Sequence, residues 1–266
     1  MREKVELVDV SRCTGCRSCQ IACKQWNELQ AQVSVNRGNY QNPPDLQANT
    51  WTLVRFQEVS AKDETVKWLF RKDGCMHCTD ATCVNLCPAG ARFCLDSGAV
   101  GTDDEKCIGC QSCVVACPFG KPRFSEETNK AYKCKLCSER TQSDLPPACV
   151  KACPTGALRY GDKDAMLALA YKRVKELGGD ASVYGDKFFR GTHIVYVLQE
   201  KIDRYNALPA HPKVASSTLF WKELVKYGRS GHIGSGLALL AITSVLKRRG
   251  EVMHRSRPDP HRTSPS

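Results

Sequence analysis

The chain lacks the short motifs that identify many enzymes that act alone. It contains no G-x-S-x-G nucleophile turn, no phosphate-binding P-loop and no H-E-x-x-H metalloprotease motif. Its first residues, MREKVELVDVSRC, hold no apolar signal-peptide run, so no export signal is predicted. It also has no RNA- or DNA-binding motif. These absences point away from self-contained catalysis and nucleic-acid binding.

Cysteine is the residue that the chain has in excess, with 17 in 266 residues. A disulfide framework is typical of short secreted domains, whereas these cysteines lie in tight groups along a longer chain. Such grouping indicates metal ligation. The four groups are Cys13, Cys16, Cys19 and Cys23; Cys75, Cys78, Cys83 and Cys87; Cys107, Cys110, Cys113 and Cys117; and Cys134, Cys137, Cys149 and Cys153.

The spacing inside the groups is typical of ferredoxins. Groups one and three have the C-x2-C-x2-C-x3-C pattern, and groups two and four lengthen only the middle gap. Three such cysteines can wrap one corner of a 4Fe–4S cubane, while the fourth reaches the other cluster of a pair. Proline follows the last cysteine at Pro88, Pro118 and Pro154, where it fixes the backbone. We therefore predict four 4Fe–4S clusters.

Other interpretations of the cysteine and histidine residues are weaker. Paired C-x2-C knuckles can hold zinc, but zinc needs neither the third cysteine nor the closing C-x3-C-P. Cys94 completes no set, and its neighbours in ARFCLDSG predict a small buried side chain without a ligand role. His193 is predicted to be structural rather than a ligand.

The net charge of +11 comes from 39 lysine and arginine against 28 acidic residues. Four clusters would contribute about −8 and leave roughly +3, so much of the excess would neutralise cofactors. Four cations lie beside ligands: Arg17, Lys24, Lys133 and Lys135. They would either raise cluster potentials or be solvated surface charges, and the sequence leaves both open.

The segments between the groups predict short strands and one long helix. Strands are predicted in VELVDV, TWTLVRFQEV, TVKWLFR and GTHIVYVLQE, and a hairpin in SGAVGTDDEKC. A helix after group four would begin at Asp162 or Asp164 and end at Gly178. Its apolar face would hold Met166, Ala170, Val174 and Leu177.

The segment at 230–246, SGHIGSGLALLAITSVL, contains no acidic residue, lysine or arginine. It is near the short end of the roughly 17 to 25 residues that span a bilayer. Trp221 and Tyr227 precede it and KRR follows it, as at a membrane interface. We predict a membrane anchor, with an amphipathic or buried docking helix as the alternative.

The chain resembles the four-cluster electron-transfer subunits of molybdopterin oxidoreductases. The resemblance rests on CMHC, CIGC, YKCKLC and PACVKACPTGAL, in that order. Among these proteins it is most similar to formate dehydrogenase beta subunits, through CKQWNELQ, NPPDLQANTWTLVRF, GTHIVYVL, LPAHP and FWK. The similarity spans about residues 5–250.

This resemblance implies that each cluster takes its fourth ligand from a different group. The implied sets are site 1, Cys13, Cys16, Cys19 and Cys153; site 2, Cys134, Cys137, Cys149 and Cys23; site 3, Cys75, Cys78, Cys83 and Cys117; and site 4, Cys107, Cys110, Cys113 and Cys87.

The resemblance also implies a non-catalytic role in anaerobic respiration. Formate would be oxidised at molybdenum or tungsten on a molybdopterin alpha subunit, and this chain would relay electrons to a membrane cytochrome b gamma subunit and quinone. The cluster domain would lie on the periplasmic side of the cell membrane, with the cytoplasmic face left open, after export with a signal-bearing partner. The alternatives are the same role in a polysulfide, sulfoxide, nitrate or hydrogenase complex, or a soluble polyferredoxin.

The expected fold class is α+β, with two ferredoxin-like double-cluster units, inserted loops and a carboxyl-terminal helix that meets the membrane. The predicted boundaries are 1–24 with 124–160 for unit A, 25–74 for an insertion with strands, 75–123 for unit B, 161–215 for a helix–strand extension, 216–250 for the anchor or docking helix, and 251–266 for a disordered tail.

Overall fold

A computed structural model of the chain describes residues 3–31, 33, 35, 38, 40–60 and 65–214. These residues form both helices and strands, in agreement with the predicted mixed class. The strands are β1 (Lys4–Asp9), β2 (Leu53–Ser60), β3 (Val66–Asp73), β4 (Arg92–Cys94), β5 (Val100–Thr102), β6 (Arg123–Ser125), β7 (Lys130–Tyr132), β8 (Leu158–Asp162), β9 (Ser182–Tyr184) and β10 (Ile194–Leu198). The α-helices are α1 (Ser18–Trp26), α2 (Thr82–Asn85), α3 (Ser112–Ala116), α4 (Ser138–Gln142), α5 (Ala148–Lys151) and α6 (Lys163–Leu177).

Strand β1 lies inside a four-stranded sheet of order β8–β1–β10–β9. It pairs in parallel with β10, where Glu6 is opposite Ile194, and antiparallel with β8. Val5 and Leu7 pack on the α6 side of the sheet, whereas Val8 packs on the opposite side with cysteines. Both faces of β1 are therefore buried, and the strands predicted from VELVDV and GTHIVYVLQE are confirmed.

Helix α6 covers one face of this sheet. Met166, Ala170 and Val174 pack against β1 and β10, as their spacing predicted. Leu177 is 37% exposed, so its predicted place on the apolar face is wrong. It stands in the last turn, where the helix has run past the edge of the packed cluster.

The ends of α6 follow the predicted positions, but one end uses different chemistry. Asp162 precedes the first helical residue without making a capping bond. Its carboxylate accepts a hydrogen bond from Lys4 Nζ at 2.7 Å instead. Gly178 follows the helix with φ of 64°, a conformation that glycine adopts without a Cβ clash.

Three hairpins complete the described strands. β2 and β3 form the longest, with Leu53 opposite Asp73 and Ser60 opposite Val66, which confirms both predicted strands. β4 and β5 form a hairpin closed by a hydrogen bond from Gly98 N to Leu95 O. It begins before the hairpin predicted in SGAVGTDDEKC, which supplies only β5, so that prediction is wrong about the first strand. β6 and β7 form a third hairpin that was not expected from the sequence.

The predicted helix–strand extension at 161–215 contributes β9 and β10 to the sheet that contains β1, and α6 to the layer that covers it. A polypeptide segment distant in sequence from group one thus becomes the parallel neighbour of its first strand. The domain boundaries stay predictions. The predicted anchor or docking helix (216–250), its apolar segment (230–246) and the tail (251–266) lie outside the described residues.

No helix within the described residues is long and apolar enough to cross a membrane.

The turn at Gly98 offers a test of packing beside β10. A Cβ at Gly98, where φ is +86°, would lie 1.9 Å from His193 Nε2. Gly98→Ala should therefore lower the free energy of unfolding by about 3 kcal/mol, through left-handed strain plus overpacking. Thermal unfolding followed by circular dichroism measures the loss.

Gly179→Ala is the matched control, because Gly179 also has positive φ (+57°) but nothing lies within 4 Å of its would-be Cβ. It should cost about 1 kcal/mol from backbone strain alone. Equal losses in the two variants would contradict the packing explanation.

Candidate metal centres

Groups one and three use the same local structure. The first two cysteines of each group lie in a loop that turns at a glycine with positive φ, Gly15 (68°) or Gly109 (71°). A Cβ at Gly109 would lie 2.3 Å from the carbonyl oxygen of Asn129. The third cysteine, Cys19 or Cys113, lies in the first turn of α1 or α3, where side chains lean back toward the loop. Three thiols are thereby aimed at one space.

The fourth thiol at sites 1 and 4 comes from another group. One cavity is lined by the three cysteines of the group-one loop together with Cys153. A second cavity is lined by the three cysteines of the group-three loop together with Cys87. Both quartets were implied by the resemblance, and the fold brings their members together.

Sites 2 and 3 contain no exposed cysteine: the four thiols of site 2 are buried, and those of site 3 are half-buried. Burial raises the pKa of the Cys134 thiol, and the neighbouring Cys23 and Cys137 add to the rise. Burial likewise raises the pKa of Cys149, with Cys134 and Cys23 among the contributors. Sulfur groups that influence one another in this way lie close together, as site 2 requires.

At site 3 the pKa values of thiols are raised by burial and by neighbouring thiols of the same quartet. Burial raises the pKa of Cys78, and then Cys75, Cys117 and Cys83 each add to it. Burial also raises the pKa of Cys83 to about 12, with Cys75 and Cys117 contributing. The quartets of sites 1 and 4 each line one cavity, and the ligand sets of sites 2 and 3 stay predictions that these mutual effects support.

Most of these thiols are protonated in the absence of metal, because burial penalises the thiolate. Burial raises the pKa of Cys19 to about 12, for example. Cys16 is exposed, and the pKa of its thiol is lowered, chiefly by the Ser18 hydroxyl. Binding of a positively charged metal centre must therefore supply the free energy for deprotonation at the buried positions.

Several N–H groups lie within hydrogen-bonding distance of ligand sulfur atoms, where they can stabilise the thiolate. Leu136 N lies 3.3 Å from Cys134 Sγ, and Lys121 N lies 3.5 Å from Cys117 Sγ. The side-chain amide of Asn27 lies 3.7 Å from Cys23 Sγ. Backbone N–H groups aimed at sulfur are a feature of iron–sulfur sites, where they help to set the potential.

The spacing of the thiols fits a cluster better than a single ion. Within the described ranges, no three histidine, cysteine or carboxylate side chains meet closely enough to hold one metal ion. Four thiolates around zinc would each lie about 2.3 Å from it. Quartets of thiols spread around a cavity instead suit a cubane, which is larger than an ion and takes four thiolate ligands.

Cys94 corrects one expectation from the sequence. It is exposed, not buried, because β4 turns Arg92 inward and leaves both Phe93 and Cys94 at the surface. A three-residue edge hairpin has too little structure on its outer side to cover them. Neither of the two cysteine-lined cavities includes Cys94.

His193 is buried and has the structural role predicted for it. Its Nδ1 lies 2.8 Å from the carbonyl oxygen of His77, which ties β10 to the group-two loop. His77 is also fully buried, and its Nδ1 accepts a hydrogen bond from Val100 N at 2.9 Å. Burial, with Lys133 adding to it, holds the pKa of His77 well below its ordinary value, so this ring is neutral.

The four cations beside the ligands do not share one environment. Arg17 lies over the Phe56 ring at 4.5 Å, and Lys24 Nζ donates to the carbonyl oxygens of Gln30 and Asn49. Lys135 pairs with Asp104 at 2.9 Å. Lys133 is only 2% exposed, so the alternative of a solvated surface charge is wrong for this residue.

Two buried clusters of ion pairs could not be predicted from the sequence pattern. Lys72 pairs with Glu6 on β1, whose other carboxylate oxygen lies 3.8 Å from Cys149 Sγ. The Asp73 carboxylate accepts hydrogen bonds from three cationic side chains, those of Arg55, Arg71 and Lys121. Alternation along β3 would not predict them, because Arg71, Lys72 and Asp73 are consecutive and all buried.

The four quartets follow one another through the fold. Site 1 and site 4 each include an exposed cysteine, Cys16 and Cys110. Between them, Cys134 of site 2 and Cys75 of site 3 lie in one packed cluster. Helix α1 packs against α5 and α2 against α3, which joins each outer site to an inner one. The order is therefore site 1, site 2, site 3 and site 4.

Comparison with known proteins agrees with this geometry. Two models of a 4Fe-4S dicluster domain match residues 66–163 and 12–91. The formate dehydrogenase-O iron–sulfur subunit of Escherichia coli (strain K12) is 46% identical over 231 residues, or 84% of this chain and 77% of that protein. This chain belongs to the family of formate dehydrogenase iron–sulfur subunits.

Other relatives define the breadth of the family. The formate dehydrogenase iron–sulfur subunit of Haemophilus influenzae is 42% identical over 252 residues, or 92% of this chain and 80% of that protein. The B subunit of the anaerobic dimethyl sulfoxide reductase of Escherichia coli is 36% identical over 159 residues, or 60% of this chain and 73% of that protein. The present iron–sulfur subunit thus holds four 4Fe–4S clusters and serves in electron transfer, without a catalytic role of its own.

Chemical labelling of Cys94, the one cysteine outside the four quartets, tests the number of iron ligands. In the cluster-loaded protein a maleimide reagent should modify about one thiol per chain, because Cys94 is exposed and the other sixteen are held by iron. Mass spectrometry of the intact chain gives the number. Cys94→Ser should remain unlabelled, and removal of iron under denaturing conditions should expose all 17 thiols of the parent chain. Labelling at any of the sixteen in the loaded protein would contradict the ligand count.

Proposed function

We propose that this chain relays electrons from a molybdenum or tungsten formate dehydrogenase catalytic subunit to a membrane cytochrome b and quinone. Its family membership supports the choice of formate. The observation that carries the relay is the ordered run of four thiol quartets with an exposed cysteine at either end, Cys16 and Cys110.

The proposed ligands are the four quartets defined above as sites 1 to 4. A 4Fe–4S cluster, once bound, takes up and releases one electron at a time. The chain's part is to hold the clusters near one another and to keep water from the inner sites. Cys134 and Cys149 of site 2 are only 8% and 5% exposed, which supports an inner relay position.

The two ends of the run carry apolar side chains suited to partner contact. Ile21 on α1 is 63% exposed near site 1, and Ile108 and Val115 are 62% and 72% exposed near site 4. Large exposed apolar side chains beside a functional site are typical of docking surfaces. These positions support one partner at each end of the relay.

A second candidate is the same relay in another molybdopterin complex. The similarity to the B subunit of a dimethyl sulfoxide reductase favours this alternative, although at 36% identity and over a shorter stretch. The catalytic subunit that copurifies with the chain decides between them. A soluble polyferredoxin would copurify with neither.

Interruption of the last site tests the relay. Cys110→Ser should reduce formate-dependent quinone reduction in the assembled complex by at least about tenfold, because site 4 loses a ligand. Formate oxidation with an artificial dye that accepts electrons at the catalytic subunit should fall less than about twofold. Parallel steady-state assays of the two acceptors measure this split.

Cys94→Ser is the control, since it alters an exposed cysteine outside the quartets and should change neither rate. Unimpaired quinone reduction by a Cys110→Ser complex with one damaged cluster would contradict the relay.

We also propose that the segment at 230–246 attaches the complex to the cell membrane, with the clusters on the periplasmic side. Its uncharged, apolar composition and the flanking KRR support this. Removal of residues 230–266 should release the chain into the soluble fraction after lysis without detergent. Removal of residues 251–266 alone should leave it with the membranes, as measured by immunoblotting of both fractions. Retention of the longer truncation would contradict a direct anchor.

A further inference from the structure

A buried arginine, Arg92, lies in the wall of the cavity at site 4. It is the first residue of β4, it is only 3% exposed, and it lines the same cavity as the four thiols of that site. Its Nη1 donates to the hydroxyl of Thr102 on β5, and its Nη2 donates to the carbonyl oxygen of Ala131 on β7 at 2.8 Å. The same Nη2 lies 3.6 Å from Cys113 Sγ. Three strands thus hold a guanidinium against a ligand sulfur of site 4.

This contact differs from those at the other cysteine ligands. Among the residues that the structure describes, Cys113 is the one ligand that accepts a hydrogen bond from a charged side chain. Other ligand sulfur atoms receive the backbone N–H of Leu136 or Lys121, or the neutral amide of Asn27. A guanidinium brings a full positive charge together with its N–H group, and such charge-assisted hydrogen bonds are the stronger kind.

The charge of Arg92 is not neutralised by a carboxylate in the described part of the chain. Arg92 takes part in none of the ion pairs that arginine makes there. The two carboxylates that directly follow β5, Asp103 and Asp104, are paired with lysines instead. A buried cation without a counter-charge is costly. The thiolates of a filled site 4 supply that counter-charge.

Arg123 occupies the equivalent place in the next hairpin and makes a different contact. It is the first residue of β6, as Arg92 is of β4, and phenylalanine follows both. Its guanidinium donates to the Asp45 carboxylate at 2.5 Å, and Arg55 contacts the same carboxylate. Two short hairpins therefore begin alike, but one arginine is paired with a carboxylate and the other with ligand sulfur.

A cation at this position acts differently on the two oxidation states of site 4. The net charge of a cubane with four thiolates changes from about −2 to about −3 when it accepts an electron. A positive charge that donates to one of those thiolates therefore stabilises the reduced form more than the oxidised form. Local charge and hydrogen bonds to sulfur are among the properties that set iron–sulfur potentials.

We propose that Arg92 raises the reduction potential of site 4 through its charged hydrogen bond to Cys113 Sγ. Site 4 is the end of the run at which Cys110, Ile108 and Val115 are exposed. Arg92 thereby favours residence of the electron next to the surface where a partner would take it up. This inference rests on the proposed function and on the ligand set of site 4.

The test is a redox titration of the intact complex followed by electron paramagnetic resonance. Cys110→Ser, which alters a ligand of site 4, identifies the signal of that site. Arg92→Met removes the charge and keeps much of the side-chain volume. At a fixed potential it should raise the oxidised-to-reduced ratio of the site 4 cluster at least about tenfold, a shift of ~59 mV for a one-electron couple. Arg92→Lys keeps the charge and should raise the ratio less than Arg92→Met does.

Arg123→Met is the matched control. It removes an arginine from the same position of the neighbouring hairpin, where the guanidinium pairs with Asp45 and not with sulfur. It should leave the site 4 ratio unchanged. If Arg92 served only to hold β4, β5 and β7 together, its loss would lower the iron content or the thermal stability without moving the potential of the loaded cluster.

A parent-like site 4 potential in a fully loaded Arg92→Met complex would overturn the inference. Equal shifts in Arg92→Met and Arg92→Lys, or in Arg92→Met and Arg123→Met, would overturn it as well, because the effect would then not follow the charge at this position.

The parent complex decides if Arg92→Met does not load iron. With arginine labelled by nitrogen-15 in the guanidinium, pulsed electron paramagnetic resonance at the reduced site 4 signal should detect a nitrogen coupling across the hydrogen bond. No coupling there would overturn the inference. Failure of the proposed function is seen separately, as a parent chain that copurifies with no catalytic subunit or holds far fewer than about sixteen irons.

Discussion

The convergence of thiols from separate sequence groups is the constraint on which this fold depends. A loop such as the one that turns at Gly15 can present three cysteines to one space but cannot close it. Cys153 supplies the fourth thiol at site 1 from a segment distant in sequence, and Cys87 supplies the fourth thiol at site 4. Each site therefore ties two segments together, so binding of the clusters contributes to the stability of the fold as well as to function.

Burial of so many potential negative charges shapes the rest of the interior. Thiols whose pKa is raised by burial, such as Cys19 and Cys83, ionise only when positive charge is brought to them. Iron supplies most of it, and buried side chains such as Lys72 and Lys133 supply more. The basic composition of the chain is thus partly an internal property, although formal charge alone would suggest an anionic partner.

The central sheet links this charged interior to the ordinary hydrophobic part of the protein. One face of β1 directs Val5 and Leu7 into an apolar layer under α6. The other presents Glu6 to Lys72 beside site 2. Because alternate residues of a strand point to opposite faces, six residues serve both purposes. The parallel pairing with β10 then holds this strand in place on its second edge.

Sequence by itself determined the cofactor type, the family and the main strands and helix, because these depend on local spacing. The C-x2-C-x2-C-x3-C loops, the alternation in VELVDV and the helical spacing of Met166, Ala170 and Val174 are each contained within one short segment. The exposure of Cys94, the β6–β7 hairpin and the order of the four sites were decided only by the tertiary structure. The pairing of Glu6 with Lys72, and the isolation of Lys133 from any described carboxylate, were decided there as well. Charge compensation in an interior depends on which residues meet across the fold, and residues 66 positions apart, such as Glu6 and Lys72, leave no periodic trace of that meeting.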